Sequence, residues 1–294
     1  MPNLDRKGKV AMLSICSNTT LIILKIIAGI LSGSVSIISE AIHSGMDLVA
    51  SLVAFFAVRQ SSKPADKEHP YGHGKIENLS GVVEGVLIFV AAAMIFTEAI
   101  KKITDPQPIE QAYVAISVML AGALVNYIVS RILYKTSVEE DSMALEADAL
   151  HLKTDVYTSL GVGLGILLIK ITNIDILDPI VAMLVALLII KESWELLKRA
   201  ISNLLDVKLP ADVEKEIEKI ISEHNEILDF HKLKTRQSGN VKHIDFHITV
   251  PPRLSVEEAH EIVGKLKKDI NNKFRNTRVS IHVDPQKNDE DDKL

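Results

Sequence analysis

Residues 180–190 read Ile180-Val181-Ala182-Met183-Leu184-Val185-Ala186-Leu187-Leu188-Ile189-Ile190, without a charge on any helical face, and residues 157–169 are equally uncharged. A soluble amphipathic helix keeps a polar face opposite its apolar stripe, so these stretches fit hydrocarbon better than the inside of a soluble bundle. Outward from them, six apolar segments lie close to the ~20 residues a helix needs to cross a bilayer. They run Val10–Leu31, Val35–Val58, Leu79–Lys102, Ala112–Leu133, Met143–Ile171 and Ile176–Leu197. Asp105-Pro106-Gln107-Pro108 and Asp178-Pro179 mark helix boundaries, because proline cannot donate to a preceding turn. Arg6, Lys7 and Lys9 before the first segment resemble a signal-peptide flank, but the apolar stretch is too long and lacks a small-residue cleavage pattern.

Lysine and arginine favour cytoplasmic loops. Arg59, Lys63, Lys67, Lys75, Arg131, Lys135, Lys191, Lys198 and Arg199 join the N-terminal cluster on one side, against Lys101, Lys102 and Lys170 on the other. Both termini are therefore expected in the cytoplasm, in a multi-pass protein of the cell's inner or plasma membrane. Charge density roughly doubles beyond Asp206, which divides the chain into a membrane domain (1–205), a cytoplasmic domain (206–287) and an acidic tail (288–294). The net charge of −5 and an aromatic content of 4% argue against a nucleic-acid partner. Cys16, the one cysteine, excludes internal disulfides and thiolate-rich zinc sites.

The charged region alternates in a way that predicts αββαβ. Val213, Ile217, Ile220 and Ile221 sit at helical spacing, and strands are expected over Phe230–Arg236, Lys242–Val250 and Arg278–Val283. Ser255-Val256-Glu257-Glu258 is a capping-box sequence, opening a helix with the stripe Val256, Ala259, Ile262, Val263, Leu266 and Ile270. The expected fold class is six transmembrane helices plus a C-terminal α+β domain, ferredoxin-like or metallochaperone-like, with two helices on one sheet face. Gly29/Gly33, Gly81/Gly85 and Gly161/Gly165 repeat at the spacing that lets helices approach closely in lipid.

Ionisable groups inside a membrane span are functional candidates by default. The second span holds His43-Ser44-Gly45-Met46-Asp47 and the fifth His151-Leu152-Lys153-Thr154-Asp155, both His-x-x-x-Asp. Positions i and i+4 share a helix face about 6 Å apart along the axis. Each pair could simply hydrogen-bond within its helix, but duplication on two spans points to a shared ion with two nitrogen and two oxygen donors. That set suits tetrahedral zinc; magnesium and manganese prefer more oxygens, and copper(I) prefers sulfur. Lys25, Glu84, Asn126 and Asp148 are expected to line a hydrated cavity or pair locally. In the loop after the second span, Asp66, His69 and His73 can close on one ion or stand solvated. On the second cytoplasmic strand Ile244, Phe246, Ile248 and Val250 face the core, so His243, Asp245 and His247 face away; His282 and Asp284 do the same on the third. His231 opens the first strand, where parity leaves its direction open, and His260 sits on the second helix.

Together these features resemble the cation diffusion facilitator family over nearly the whole chain. The resemblance implies a homodimeric exporter of divalent cations, not an enzyme, driven by proton exchange and associating through its cytoplasmic domains. It places the transport site at His43, Asp47, His151 and Asp155, a loop site at Asp66, His69 and His73, and a binuclear cytoplasmic site at His231, His247, His260, His282 and Asp284. Lys75 and Asp206 fall where the family has an interlocking ion pair at the dimer junction. His43, where many bacterial relatives have Asp, resembles the zinc-selective quartet and makes Zn2+ the expected substrate, with a second role as structural or regulatory ion. Export of Cd2+, Fe2+, Co2+ or Mn2+ and a metal-responsive protein that conducts nothing are the alternatives. A membrane metallohydrolase would need an open coordination position and a general base, as in His-Glu-x-x-His, which the sequence lacks.

Overall fold

The structure is a computed structural model that describes residues 5–32, 35–104, 112–172, 174 and 176–286. Two compact units form, Met1–Ile201 and Ser202–Leu294. The acidic tail, the Asp105–Pro108 boundary, Gly33 and the surroundings of Gly29 and Gly165 lie outside what the structure describes.

The first unit consists of six helices of 27 to 30 residues: α1 (Arg6–Ser32), α2 (Val35–Ser61), α3 (Lys75–Thr104), α4 (Ala112–Glu140), α5 (Met143–Thr172) and α6 (Leu177–Leu204). All outrun the apolar segments at one or both ends. The longest extensions, equal in length, are at the ends of α4 and α6; α4 continues to Glu140 through a stretch expected to be a polar break. Thr136 and Ser137 are buried there, so these polar residues belong to the packed face of a helix. Asp141, with φ of 50°, then reverses the chain, and Ser142 accepts the backbone N–H of Leu145 through its hydroxyl to start α5.

Helix α1 packs on α2 and α4, α4 on α5, and α5 also on α2 and α3. Ile189, Leu196 and Ala200 bring α6 onto Ile88 and Ala92 of α3 and Met143 and Ala147 of α5. This contact needs Gly85: a Cβ there would lie 2.9 Å from Leu197 Cγ. Outward faces carry exposed Ile23, Leu24, Ile27, Val86, Val90, Leu124, Ile128, Leu184 and Leu187, the surface that lipid solvates. Among the described residues, Arg6–Ile27 and Lys75–Ile103 are apolar enough throughout to cross a membrane. Asp47 interrupts α2, Asp148, Lys153 and Asp155 interrupt α5, and Lys191 and Glu192 interrupt α6.

The second unit has the order α7 (Ala211–Ser222), β1 (Asp229–Ser238), β2 (Val241–Val250), α8 (Val256–Lys273), β3 (Thr277–Pro285). Strands β1 and β2 form an antiparallel hairpin turned at Gly239, whose φ of 58° suits glycine. β3 pairs parallel to β2, which requires a crossover, and α8 supplies it. Both helices cover one face: Ile217, Ile220 and Ile221 of α7 and Ile262, Leu266 and Ile270 of α8 bury Ile244, Phe246, Ile248 and Val250 of β2. The capping box forms, with Ser255 accepting the Glu258 N–H and Glu258 accepting the Ser255 N–H. Val256, expected in the core stripe, is 89% exposed, because the first turn of α8 precedes the part that lies on the sheet.

Candidate metal centres

In the bundle, α2 brings Asp47 to the face of α5 that carries His151 and Asp155. His151 Nε2 lies 3.2 Å from Asp47 Oδ1, and one ligand atom from each of the three falls within 4.8 Å of the others. Neighbouring helices fix the acids: Asn126 of α4 donates to Asp155 Oδ2 at 3.3 Å, and Asn18 of α1 donates to the Asp47 carbonyl at 3.4 Å. Position 43 lies within α2, but the His43 side chain is outside the described residues. Beside it, Lys25 donates to Ser44 at 2.7 Å. Of the other buried groups, Asp148 accepts from Ser51 at 3.0 Å, while neither carboxylate oxygen of Glu84 has a hydrogen-bond partner.

A network that the sequence did not suggest closes the end at which α6 runs on into the second unit. Glu77 is buried and accepts from Lys7 and Ser61, both at 2.6 Å, and from Ser142, so one carboxylate ties α1, α2, α3 and the start of α5. A glutamate two residues into a helix reads as a solvated flank. The signal was Lys7, whose position just inside α1 gives it the reach to neutralise a neighbour.

In the α2–α3 loop, Asp66 and His69 are exposed and His73 is buried. Asp66 lies 3.2 Å from His69 Nδ1 and 3.4 Å from His73 Nε2, and the rings stand 4.4 Å apart. The backbone N–H of His69 at 2.7 Å, helped by that of Glu68, holds the Asp66 carboxyl below the usual range. It therefore faces the rings as an anion.

In the second unit, register does the assembly. His231, His247 and His282 are paired neighbours across β1, β2 and β3, forming a row on the face away from the helices. Asp284 reaches all three: 2.8 Å to His247 Nδ1 and 3.3 Å to both His231 Nε2 and His282 Nε2. The His247 hydrogen bond pulls the Asp284 carboxyl down in pKa. A bulge after His231, with Lys232 at φ of 55°, settles the direction that parity left open. His260 is exposed on α8, which packs on the opposite sheet face, and is not among the residues gathered here. His243, expected to face solvent, is buried; its pKa is lowered by burial, with Arg236 and Arg278 adding to the effect. Asp206 meets Arg236 at 3.3 Å within the second unit, and Lys75 starts α3 in the first. Three imidazoles around one carboxylate suit a divalent ion of borderline softness, which would take ring nitrogens and an Asp284 oxygen.

A bundle with an apolar exterior and imidazole and carboxylate donors in its interior, continued by an αββαβ unit, defines a membrane protein that moves cations. Sequence models give the same result. One described as the cation efflux transmembrane domain matches residues 11–205, and one described as the cation efflux protein cytoplasmic domain matches residues 209–286. The chain belongs to the cation efflux, or cation diffusion facilitator, family. It is a divalent cation efflux transporter with a cytoplasmic C-terminal domain, and not an enzyme. A Synechocystis protein named as an uncharacterized transporter is 35% identical over 276 residues, 94% of this chain and 89% of that protein. The cation-efflux pump FieF of Shewanella oneidensis is 31% identical over 272 residues, 92% of each chain. The manganese efflux system protein MneP of Bacillus subtilis is 29% identical over 288 residues, 94% of this chain and 95% of that protein.

Proposed function

We propose that the protein exports Zn2+ from the cytoplasm in exchange for protons, by alternating access, as a homodimer in the cell's inner or plasma membrane with both termini cytoplasmic. The observation that carries this reading is the convergence of Asp47, His151 and Asp155 between α2 and α5. With His43 added from α2, the donor set is two imidazoles and two carboxylates, the composition that favours zinc over ions preferring all-oxygen shells. Ligation needs neutral imidazole and ionised carboxylate, so protons compete with the cation. An inward proton gradient then drives the ion outward.

The loop group Asp66, His69 and His73 and the cytoplasmic group His231, His247, His282 and Asp284 are read as additional metal sites. The second biases the dimer when loaded, with His260 as a further donor. Lys75 and Asp206 are assigned to the dimer junction. Asp47→Ala or Asp155→Ala in proteoliposomes is expected to abolish Zn2+ flux while the protein still elutes as a dimer. Flux at the wild-type rate in either variant overturns the site. Wild-type flux of Mn2+ or Cd2+ exceeding that of Zn2+ overturns the choice of ion alone.

A further inference from the structure

Glu84 of α3 and Asp148 of α5 are both fully buried in the bundle, at 0% exposure. Neither oxygen of Glu84 accepts a hydrogen bond, and Asp148 Oδ2 is likewise unpartnered. No ion pair involves either acid among the described residues. Ser51 donates to Asp148 Oδ1 at 3.0 Å, and the Ser14 hydroxyl also acts on that carboxyl. Ser51 in turn accepts from Asn18 at 2.8 Å and lies 2.9 Å from the Ser14 hydroxyl, with its own proton committed to Asp148. The Ser51 hydroxyl has nothing left to offer Glu84.

Glu84 is bare and Asp148 has hydroxyl donors but no cation among the described residues, so the two resist being ionised together. Burial without a compensating opposite charge disfavours each anion, and the second charge disfavours the first. The charged or titratable groups facing Glu84 are Asp148 and His151, both from α5. Among the described residues, the Ser14 hydroxyl of α1 and the Ser51 hydroxyl of α2 act on Asp148, and from α6 the residues beside Gly85 are Leu196 and Leu197. Glu84 is outside the donor set of Asp47, His151 and Asp155, and shares no hydrogen bond with it. It does stand within electrostatic reach of that set through His151.

We propose that Glu84, with Asp148 as its acidic neighbour, is a proton-carrying site distinct from the cation site. This inference rests on the transport reading above. With no cation bound, Glu84 holds a proton on one carboxylate oxygen. A dication arriving beside His151 stabilises the carboxylate anion, the O–H bond breaks, and the proton leaves to water on the cytoplasmic side. Once the cation has left on the other side, a proton from that side re-forms the bond. Each cycle then moves one more proton than the imidazoles alone exchange.

The test counts protons released when Zn2+ binds the full-length protein in weakly buffered detergent solution, using a pH indicator, with Zn2+ affinity measured in the same samples. Glu84→Gln mimics the protonated acid, so it is expected to fold, to bind Zn2+ within about twofold of wild type, and to release about one proton fewer per ion. Asp148→Asn is the second variant and is expected to reduce the count in the same direction. In proteoliposomes Glu84→Gln should keep Zn2+ flux down its own gradient and lose part of its response to an imposed pH gradient. An unchanged proton count in Glu84→Gln overturns the proposal, and so does loss of Zn2+ binding, which would make Glu84 a ligand. Failure of the transport reading looks different: the Asp47→Ala control would still bind and carry Zn2+.

Discussion

In the membrane bundle the charge is inside, and in the C-terminal unit it is outside. The bundle buries Lys7, Lys25, Asp47, Glu77, Glu84 and Asp148 and exposes most of the large apolar side chains; the C-terminal unit buries isoleucine, leucine, valine and one phenylalanine, and sets its His–Asp row on the sheet face away from the helices. Both hold imidazole next to carboxylate at 2.8 to 3.3 Å. In the bundle, position is fixed by helices that cannot exchange their inner faces with lipid, and each buried charge must find a partner or a proton. In the sheet, position is fixed by register, and solvent satisfies what the row leaves over.

The contrast is broken most severely by removing one half of a buried pair. Glu77→Ala leaves the Lys7 ammonium buried and takes an acceptor from Ser61 and Ser142. The expected cost is about 3–5 kcal/mol, read as a large fall in the unfolding temperature of the bundle. A shift as small as that of an exposed ion-pair variant, such as Glu216→Ala opposite Lys273, would mean that water reaches Lys7.

This asymmetry also explains what could be read from the chain. Membrane helices were legible because lipid requires length and a largely apolar sequence, and duplicated His-x-x-x-Asp stood out because a charge in such a segment is costly. Glu77 was not legible: at a helix start, sequence cannot separate a solvated flank from the centre of a four-helix clasp. In the C-terminal unit the parity of β2 gave the two faces directly. Parity did not give the bulge at Lys232, and it did not give the parallel pairing that brings His282 level with His247. Both depend on tertiary contacts, as does the burial of His243. Strand parity sends that ring away from the helices, and nothing in the sequence indicates that it will be covered there.

Glycines sharpen the comparison at a smaller scale. Gly85 lets α3 meet α6, and a methyl there would press on Leu197 Cγ at 2.9 Å; Gly264, exposed on α8, has nothing within 4 Å of the same position. Gly85→Ala is expected to destabilise the bundle by about 1–3 kcal/mol through overpacking. Gly264→Ala should stabilise the C-terminal unit by about 0.5–1 kcal/mol through helix propensity alone. Calorimetry on both variants distinguishes the two, and equal shifts of the same sign would show that the α3–α6 contact is not tight.

The smallest expected effect is a slope. His243 is buried, which depresses its pKa, with Arg236 and Arg278 adding to the effect. Its folded pKa therefore lies below its unfolded value near ~6.5, and between the two the unfolded chain binds more protons. The stability this neutral ring contributes is complete above the unfolded value and is lost as pH falls below it. His243→Gln removes the titration, so the unfolding temperature of the C-terminal unit should fall less between pH 7.5 and 5.5 in the variant than in wild type (the two pH values being chosen to bracket ~6.5). Every other group is the same in both proteins, so its contribution cancels in the difference. Identical slopes would mean that His243 is protonated at little cost, and that Asp245 and Asp206, the acids acting on it in the opposite sense, outweigh its two arginines.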